Sequence, residues 1–169
     1  MMGTFQESNK IGKAGEDVLH RYWSSKGYNV IDLSSNKNAQ TIDIDVVIAT
    51  NNGAYMCDVK SDTHSRKNFF IEITSNCNTN SLGCAYVSKA DRWYYYFPND
   101  DVCYVFNPQE MLQWVDENNF REVYTSTYGR SGEVLYKTRG VLVPIDGCRA
   151  VQGVIRPLKH LSVNSNETH

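Results

Sequence analysis

One stretch of this chain constrains the fold more than any other. Two extended segments, residues 42–49 and 55–60, lie on either side of Asn52-Gly53, and the second ends in Asp58-Val59-Lys60. Asn-Gly between two such runs is the strongest short-range hairpin signal that a sequence offers. The sequence therefore predicts a β-hairpin whose two loop residues are Asn52 and Gly53.

The open end of this hairpin is rich in acidic side chains. With Asn52 and Gly53 in the loop, Asp45 lies opposite Lys60, and Asp43 lies opposite Asp62. Because side chains alternate along a strand, one face carries four carboxylates and a lysine: Asp43, Asp45, Asp58, Asp62 and Lys60. Like charges this close repel strongly once they are partly desolvated. A bound cation, or protonation of some carboxylates, would relieve the repulsion.

The oxygen-rich face suits a hard divalent ion such as Mg2+ or Mn2+. Asp45 and Asp58 are diagonal neighbours that can share an ion, and the main-chain carbonyl of Val59 can add a ligand. Lys60 can orient or help to deprotonate a water and can stabilise negative charge on a phosphate. This chemistry indicates phosphodiester hydrolysis. The alternative is an ordinary cross-strand Asp-Lys pair at a solvated hairpin end, since such surface pairs are common and weak.

The motif resembles the core of the PD-(D/E)xK nuclease superfamily. Asp45 opens a strand, and Asp58-Val59-Lys60 follows about a dozen residues later after an apolar strand, although the Pro of the family name is absent. The family also places a Glu on a helix before the sheet, as at Glu16. Residues 88–96 look like the second core helix of phage and restriction-type members. The resemblance covers about residues 8–108.

This resemblance implies both a fold and an activity. The implied fold is a restriction-endonuclease-like α/β sandwich with a central mixed sheet flanked by helices. The implied activity is Mg2+- or Mn2+-dependent hydrolysis of phosphodiester bonds, with DNA as the expected substrate. Four residues are the expected catalytic set: Glu16, Asp45, Asp58 and Lys60. Asp45, Asp58 and the Val59 carbonyl would hold the metal, with Glu16 holding a second ion through water.

Three acidic positions leave alternatives open. Glu16 lies beside the apolar stripe of its helix, so a solvated helical Glu explains it equally well. Asp43 is one step further from the centre of the hairpin site and is a reserve ligand. Glu72, flanked by Ile71 and Ile73, points to the opposite face from them, which is either solvent or the site.

The rest of the chain predicts alternating helices and strands. Residues 8–26 form a helix with apolar residues at helical spacing, ended by Gly27. A second helix starts at the N-cap Ser88 and ends before Pro98, and a short one starts at Pro108. Further strands are predicted at 28–33, 69–74, 102–106 and 141–145, with a polar loop at 34–40.

Two groups of basic residues are candidates for nucleic-acid contact. Lys89 and Arg92 lie beside the aromatic run 93–97, whose rings are more typical of core packing than of base stacking. Arg130, Lys137 and Arg139 alternate with tyrosines on a ribbon rich in Gly and Ser. A plain solvated hairpin explains this second pattern almost as well.

Length and composition set the remaining limits. With 169 residues, the chain is expected to form one domain over 1–163, followed by a disordered polar tail at 164–169. The net charge of −2 provides no global basic field, so DNA binding requires a local patch. Five cysteines without Cys-x-x-Cys spacing indicate a reducing cytoplasm, and no apolar run is long enough to span a membrane. A homodimer is expected if both strands of a duplex are cut.

Two other functions compete with the nuclease. A catalytically silent member of the same fold would bind nucleic acid or serve as an interaction module, but four carboxylates on a surface facing phosphates weigh against it. A phosphatase of small nucleotides would need a closed pocket for a base, and the sequence has no phosphate-cradling Gly-rich loop.

Overall fold

The computed structural model describes residues 5–63, 67–129, 131–156 and 158–159. Its helices are α1 (Phe5–Ser25), α2 (Lys37–Gln40), α3 (Cys84–Val87) and α4 (Pro108–Asp116). Its strands are β1 (Asn29–Asp32), β2 (Val46–Thr50), β3 (Gly53–Ser61), β4 (Asn68–Asn76), β5 (Ser81–Leu82), β6 (Arg92–Phe97), β7 (Val102–Phe106), β8 (Arg121–Tyr128), β9 (Val134–Pro144) and β10 (Val151–Ile155). Arg130 and the expected disordered tail at 164–169 lie outside the described residues.

The strands form two sheets. The first has six strands in the order β1-β2-β3-β6-β7-β10, in which β3 and β6 are parallel and the other neighbours are antiparallel. The second has four antiparallel strands in the order β5-β4-β9-β8. The prediction of an α/β fold with a central mixed sheet is confirmed.

Two apolar clusters lie on opposite faces of the six-stranded sheet. On one face, Leu19 and Trp23 of α1 pack against Cys57 and Val59 of β3. On the other face, the second sheet contributes apolar residues such as Phe69, and α3 and α4 also pack there. The central sheet therefore has a helix on one side and a sheet with two short helices on the other.

Helix α1 matches the prediction but begins earlier, at Phe5. Gly27, with φ of 75°, ends the helical segment as expected. Gly15 is buried against β3, where an added Cβ would meet Ser61 Oγ. Neither α1 nor any other helix of the described part is long and apolar enough to cross a membrane.

The predicted helix from Ser88 to Phe97 is wrong, because the aromatic run forms β6. Trp93, Tyr95 and Phe97 pack in one apolar cluster, and Tyr94 and Tyr96 pack in the other. A central strand covered on both faces has a continuous apolar sequence rather than an alternating one, so periodicity does not reveal it. Ser88 follows α3 and accepts a hydrogen bond from Trp93 Nε1 at 3.0 Å instead of capping a helix N-terminus.

The predicted hairpin is present, but its register differs by two residues. Thr50 pairs with Gly53 and Val46 with Cys57, so Asn51 and Asn52 are the loop residues. The positive φ, 132°, lies at Gly53, and neither Asn has one. The turn is therefore not the type I′ turn on which the Asn-Gly prediction depends. A shift of two residues keeps each side chain on its predicted face but changes its neighbours.

The remaining predictions are mostly confirmed. Strands at 29–32, 68–76 and 102–106 and helix α4 lie where expected. The ribbon from Arg121 forms the β8–β9 hairpin, so the strand predicted at 141–145 is the end of the longer β9. The predicted polar loop at 34–40 contains α2, capped by the Asn36 side chain. Strand β10 was not predicted.

Asp101 holds residues 158 and 159, which follow β10, against the core. Leu158 is fully buried in the cluster beneath α1. The Asp101 carboxylate accepts hydrogen bonds from the N–H groups of Leu158 at 2.9 Å and Lys159 at 3.1 Å, and from the Tyr96 hydroxyl at 3.0 Å. Burial would raise the pKa of Asp101, but these donors outweigh it and lower the pKa.

Asp101→Asn is therefore expected to lower the free energy of unfolding by about 1.5 kcal/mol at neutral pH. Asn tolerates the left-handed backbone at this position, φ 50°, so the variant removes mainly the charge. A lowered folded-state pKa gives stability that is present above the unfolded value of about 3.9 and lost as pH falls through the folded value. Urea unfolding should show a difference that is largely retained down to about pH 4 and shrinks below it. Asp116→Asn is the control, because Asp116 is exposed on α4, and an equal loss there would contradict the assignment.

Candidate functional site

Asp58 and Lys60 form the centre of the candidate site. They lie on the side of β3 opposite Cys57 and Val59. Lys60 Nζ lies 2.6 Å from Asp58 Oδ2 and 5.1 Å from the ring centroid of Trp93. The Asp58 side chain is only 4% exposed. Asp58 Oδ2 forms no aligned hydrogen bond, so the short contact is an ion pair without hydrogen-bond geometry.

Asp43 is the second partner of Lys60. Its Oδ2 lies 3.1 Å from Lys60 Nζ. The predicted opposite residue was Asp45, and the two-residue register shift explains the exchange. Asp43 has a left-handed backbone, φ 57°, just before β2. This conformation is uncommon for residues other than Gly but is tolerated by Asp. Asp43 therefore moves from reserve candidate to direct neighbour of Lys60.

Asp45 links the two sides of the site. Its Oδ2 accepts a hydrogen bond from the Val59 N–H at 2.9 Å. Its own N–H donates to the Cys57 carbonyl at 3.0 Å, just before β2 begins. The Asp45 carboxylate is also close enough to Asp58 to raise the pKa of the Asp58 carboxyl group. The sequence-predicted pair is thus brought together.

Glu16 and Asp45 line a cavity of ≈ 30 Å³ between α1 and the sheet. Its other lining residues are Lys13, Asp17, His20, Trp23, Asp32, Val46 and Val59. This volume has room for a small ion or about one or two waters. Burial and then Asp45 raise the pKa of Glu16, whereas Lys13, 3.3 Å from Glu16 Oε2, opposes the shift. Glu16 is therefore a half-buried member of the acidic cluster rather than a fully solvated helical residue.

The central ion pair has unusual electrostatics. Burial raises the pKa of Asp58 well above its ordinary value; Lys60 opposes this shift, and Asp43 and Asp45 add to it. Burial would lower the pKa of Lys60. The pKa is nevertheless raised well above its ordinary value by Asp58, Cys84 and Asp43. Lys60 is consequently an ammonium at neutral pH.

The donor set meets part of what a hard divalent ion requires. Across the described ranges, no group of three or more Asp, Glu, His or Cys side chains is placed to hold one ion. The neighbouring carboxylates of Asp45 and Asp58 nevertheless have the right chemistry, and the buried Asp58 Oδ2 lacks an aligned hydrogen bond. Val59 lies beyond the last β2–β3 pair, where its carbonyl can supply a third oxygen. The residues fit such an ion provided that Lys60 moves.

The two remaining acidic candidates have other contacts. Glu72 Oε1 accepts a hydrogen bond from the Cys84 N–H at 3.3 Å, at the start of α3. Burial raises the pKa of Glu72, and the backbone bond from Cys84 and then Lys60 oppose the shift. Asp62, predicted on the acidic face, accepts a hydrogen bond from the Tyr95 hydroxyl at 3.3 Å. Glu72 therefore borders the site, while Asp62 has a separate partner.

The first pair of basic candidates does not lie on a helix. Lys89 is exposed in the connection between α3 and β6, where its N–H donates to the Ile42 carbonyl. Arg92 is the first residue of β6, and its guanidinium stacks on the Tyr55 ring at 4.0 Å from the centroid. The helix on which the sequence placed both residues is therefore replaced by a connection and a strand.

The second group lies on the β8–β9 hairpin. Arg139 pairs with Tyr124, and Lys137 pairs with Ser126, so these four side chains share a face. Tyr124 is 61% exposed, and Arg139 also forms a surface ion pair with Glu122 at 3.5 Å. Arg130 lies outside the described residues.

Sequence reasoning missed several neighbours of the site. The Lys60 ammonium lies over the Trp93 ring, and Cys84 is among the groups that raise the pKa of Lys60. Lys13 contacts Glu16. Lys13 alone had a sequence signal, because i,i+3 pairs on a helix meet. Trp93 is brought to the site by the pairing of β6 with β3, and Cys84 by the packing of α3 against β4.

Comparisons with known proteins complete the description. No family model and no curated protein sequence matches the chain. Among solved structures, the chain is similar to a bacterial homing endonuclease, I-Ssp6803I, with 16% sequence identity and a TM-score of 0.44. The match covers 66% of this chain and 70% of that chain.

Proposed function

We propose that this protein is a metal-dependent nuclease that hydrolyses phosphodiester bonds, with DNA as its substrate. One observation carries the proposal: the buried Asp58 carboxylate contacts Lys60 and has two further carboxylates, Asp43 and Asp45, close enough to raise its pKa. A structural ion pair needs one acid and one base, and additional partly buried carboxylates only add repulsion. Such a cluster is typical of a site that receives a cation and a polyanion.

Mg2+ or Mn2+ would be held by Asp45, Asp58 and the carbonyl of Val59, with Glu16 reached through water. When bound, the ion would polarise the phosphate and increase the acidity of a water molecule. The described carboxylates and carbonyl match the oxygen preference of these ions. Asp45 is central to this arrangement because it is near Asp58 and also lines the cavity that contains Glu16.

Lys60 would act on the substrate as an ammonium. It donates hydrogen bonds and carries a positive charge, so it can position a water and stabilise negative charge on a phosphate oxygen. The low exposure of the Asp58–Lys60 pair strengthens these electrostatic interactions. The chain thus supplies substrate orientation and charge stabilisation from one strand, β3.

Duplex contacts would come from the β8–β9 hairpin. Lys137 and Arg139 neutralise phosphates, and exposed Tyr124 on the same face offers a flat surface for contact. The net charge of −2 requires this contact to be local. A homodimer would be needed if each protomer cuts one strand.

The test is DNA cleavage by the full chain with Mg2+, with Mn2+ and with EDTA. Supercoiled, linear, single-stranded and branched DNA separate the nuclease classes. We expect metal-dependent cleavage by the wild type and a loss of about 100-fold in Asp45→Asn, because one charged metal ligand is removed. Asn retains an oxygen that can accept from the Val59 N–H, so folding is preserved.

Asp91→Asn is the matched control. Asp91 Oδ2 also accepts a hydrogen bond from a backbone N–H of β3, that of Met56, at 2.8 Å. It should cleave at the wild-type rate. Equal rates in Asp45→Asn and Asp91→Asn would refute the assignment of Asp45.

A catalytically silent nucleic-acid-binding or interaction module is the second candidate. One observation favours it: within the part of the chain that the structure describes, no three acidic side chains are ready to hold an ion. This candidate predicts that none of the four DNA substrates is cleaved with either metal. Retained binding to DNA, lost on Lys137→Gln/Arg139→Gln, would then identify a binding module.

A further inference from the structure

Lys60 has two carboxylate partners among the residues that the structure describes. Its Nζ lies between Asp58 Oδ2, at 2.6 Å, and Asp43 Oδ2, at 3.1 Å. The contact with Asp58 is a short ion pair to a carboxylate that is only 4% exposed, so charge attraction is a large part of it. An ion attracts a carboxylate oxygen from any direction, so it competes well for such a position.

A divalent ion and the ammonium cannot both contact Asp58 Oδ2 at these distances without strong repulsion. Two like charges about 4 Å apart repel by about 4 kcal/mol even at an effective dielectric of about 20. The site offers three neighbouring carboxylates, Asp43, Asp45 and Asp58, against one ammonium. A divalent ion balances that charge better than Lys60 does alone.

From these contacts we propose that Lys60 occupies the cation position of the metal-free protein and that a divalent ion enters by displacing its ammonium from Asp58. This inference rests on the proposed metal site and deepens it. Asp43 is a positioning residue in this exchange, because it can retain the displaced ammonium beside the site. Lys60 then reaches a substrate phosphate only after the ion has entered, so ion binding and substrate contact are coupled.

The first test uses the wild-type protein and the accessibility of Lys60. The Lys60 side chain is 20% exposed in its contact with Asp58. Acetylation by acetic anhydride, followed by mass spectrometry of the peptides, should be faster at Lys60 with Mn2+ than with EDTA. Lys26, which is exposed, provides the internal reference in the same sample. Unchanged or slower acetylation of Lys60 under conditions where Mn2+ binds would overturn the exchange.

The second test measures Mn2+ affinity by electron paramagnetic resonance, without any substrate. Lys60→Met removes the competing ammonium and should bind Mn2+ at least about tenfold more tightly than the wild type. Circular dichroism establishes that the variant is folded, and the acetylation test stands if it is not. Equal or weaker affinity in Lys60→Met overturns the exchange, and wild-type cleavage with Mg2+ would still leave the nuclease proposal standing. Absence of Mn2+ binding in both proteins would refute the metal site and the exchange together.

Discussion

Lys60→Met is expected to lower the free energy of unfolding by about 3 kcal/mol at pH 7 in buffer with EDTA. Met keeps an apolar stem beside Trp93 but removes the ammonium that lies 2.6 Å from Asp58 Oδ2. Asp58 then remains a buried carboxylate beside Asp43 and Asp45 without an opposite charge. Breaking such a pair costs more than the pair contributed, because the remaining charge stays desolvated.

The loss should shrink as pH falls, because Asp58 can take up a proton. Burial already raises the pKa of Asp58, and removal of Lys60, which opposes that shift, raises it further. An acid with a raised folded-state pKa destabilises the protein above that pKa. The penalty disappears as pH falls toward the unfolded value of about 3.9. Urea unfolding at pH 7 and pH 5 measures this difference.

Lys26→Met is the matched control for charge removal. Lys26 is exposed and lies 5.6 Å from the Tyr22 ring centroid, so its loss should cost less than about 0.5 kcal/mol at both pH values. A loss in Lys60→Met that is equally large at pH 7 and pH 5 would assign the effect to packing. That result would contradict the buried-charge account.

Gly140→Ala is expected to destabilise the second sheet by about 2 kcal/mol, which lowers Tm by about 4–8 °C for a chain of this size. An added Cβ would lie 2.5 Å from Phe70 Cζ and 2.7 Å from the carbonyl oxygen of Ile71. Phe70 can rotate, but the Ile71 carbonyl belongs to β4, which pairs with β9 along this segment. The backbone must therefore shift to accept the methyl group.

Gly153→Ala is the matched control, since Gly153 also lies in a strand, β10. Its nearest neighbour would be Val105 Cβ at 3.9 Å, which is ordinary contact. Removing a strand Gly without a clash should be neutral or stabilise by up to about 1 kcal/mol. Equal Tm values for the two Ala variants would show that β4 and β9 separate easily at Gly140.

The features of the site that depend on residues close together in sequence could be predicted. The hairpin, the Asp58-x-Lys60 strand and the face shared by these side chains followed from turn chemistry and strand alternation. The cross-strand neighbours of these side chains did not follow in the same way. Asn51-Asn52 and Asn52-Gly53 are both plausible loops, and the choice between them changes which aspartate meets Lys60. A register difference of two residues leaves the polar pattern of each face unchanged, so no local signal distinguishes them.

Features of the fold that depend on contacts between distant parts of the sequence were harder to predict. The run from Trp93 to Phe97 is apolar throughout, and such a run fits a buried helix or a central strand equally well. Its position between β3 and β7 decides the matter, and that position depends on tertiary packing. Helix α1 was easier to predict, because its buried Leu19 and Trp23 recur at helical spacing and Gly27 ends it.

The parallel pairing of β3 with β6 has a consequence for the order of folding. Hairpin closure between β2 and β3 involves near neighbours in sequence and takes about 1–10 μs. The pairing of Asp58 with Trp93 closes a longer loop that includes β4 and α3, so it is expected to form more slowly. The acidic residues are thus gathered early while still hydrated, and β6 removes their water later. A nascent chain that ends before β6 has the hairpin but lacks the strand that excludes water and so strengthens the interactions between its charges.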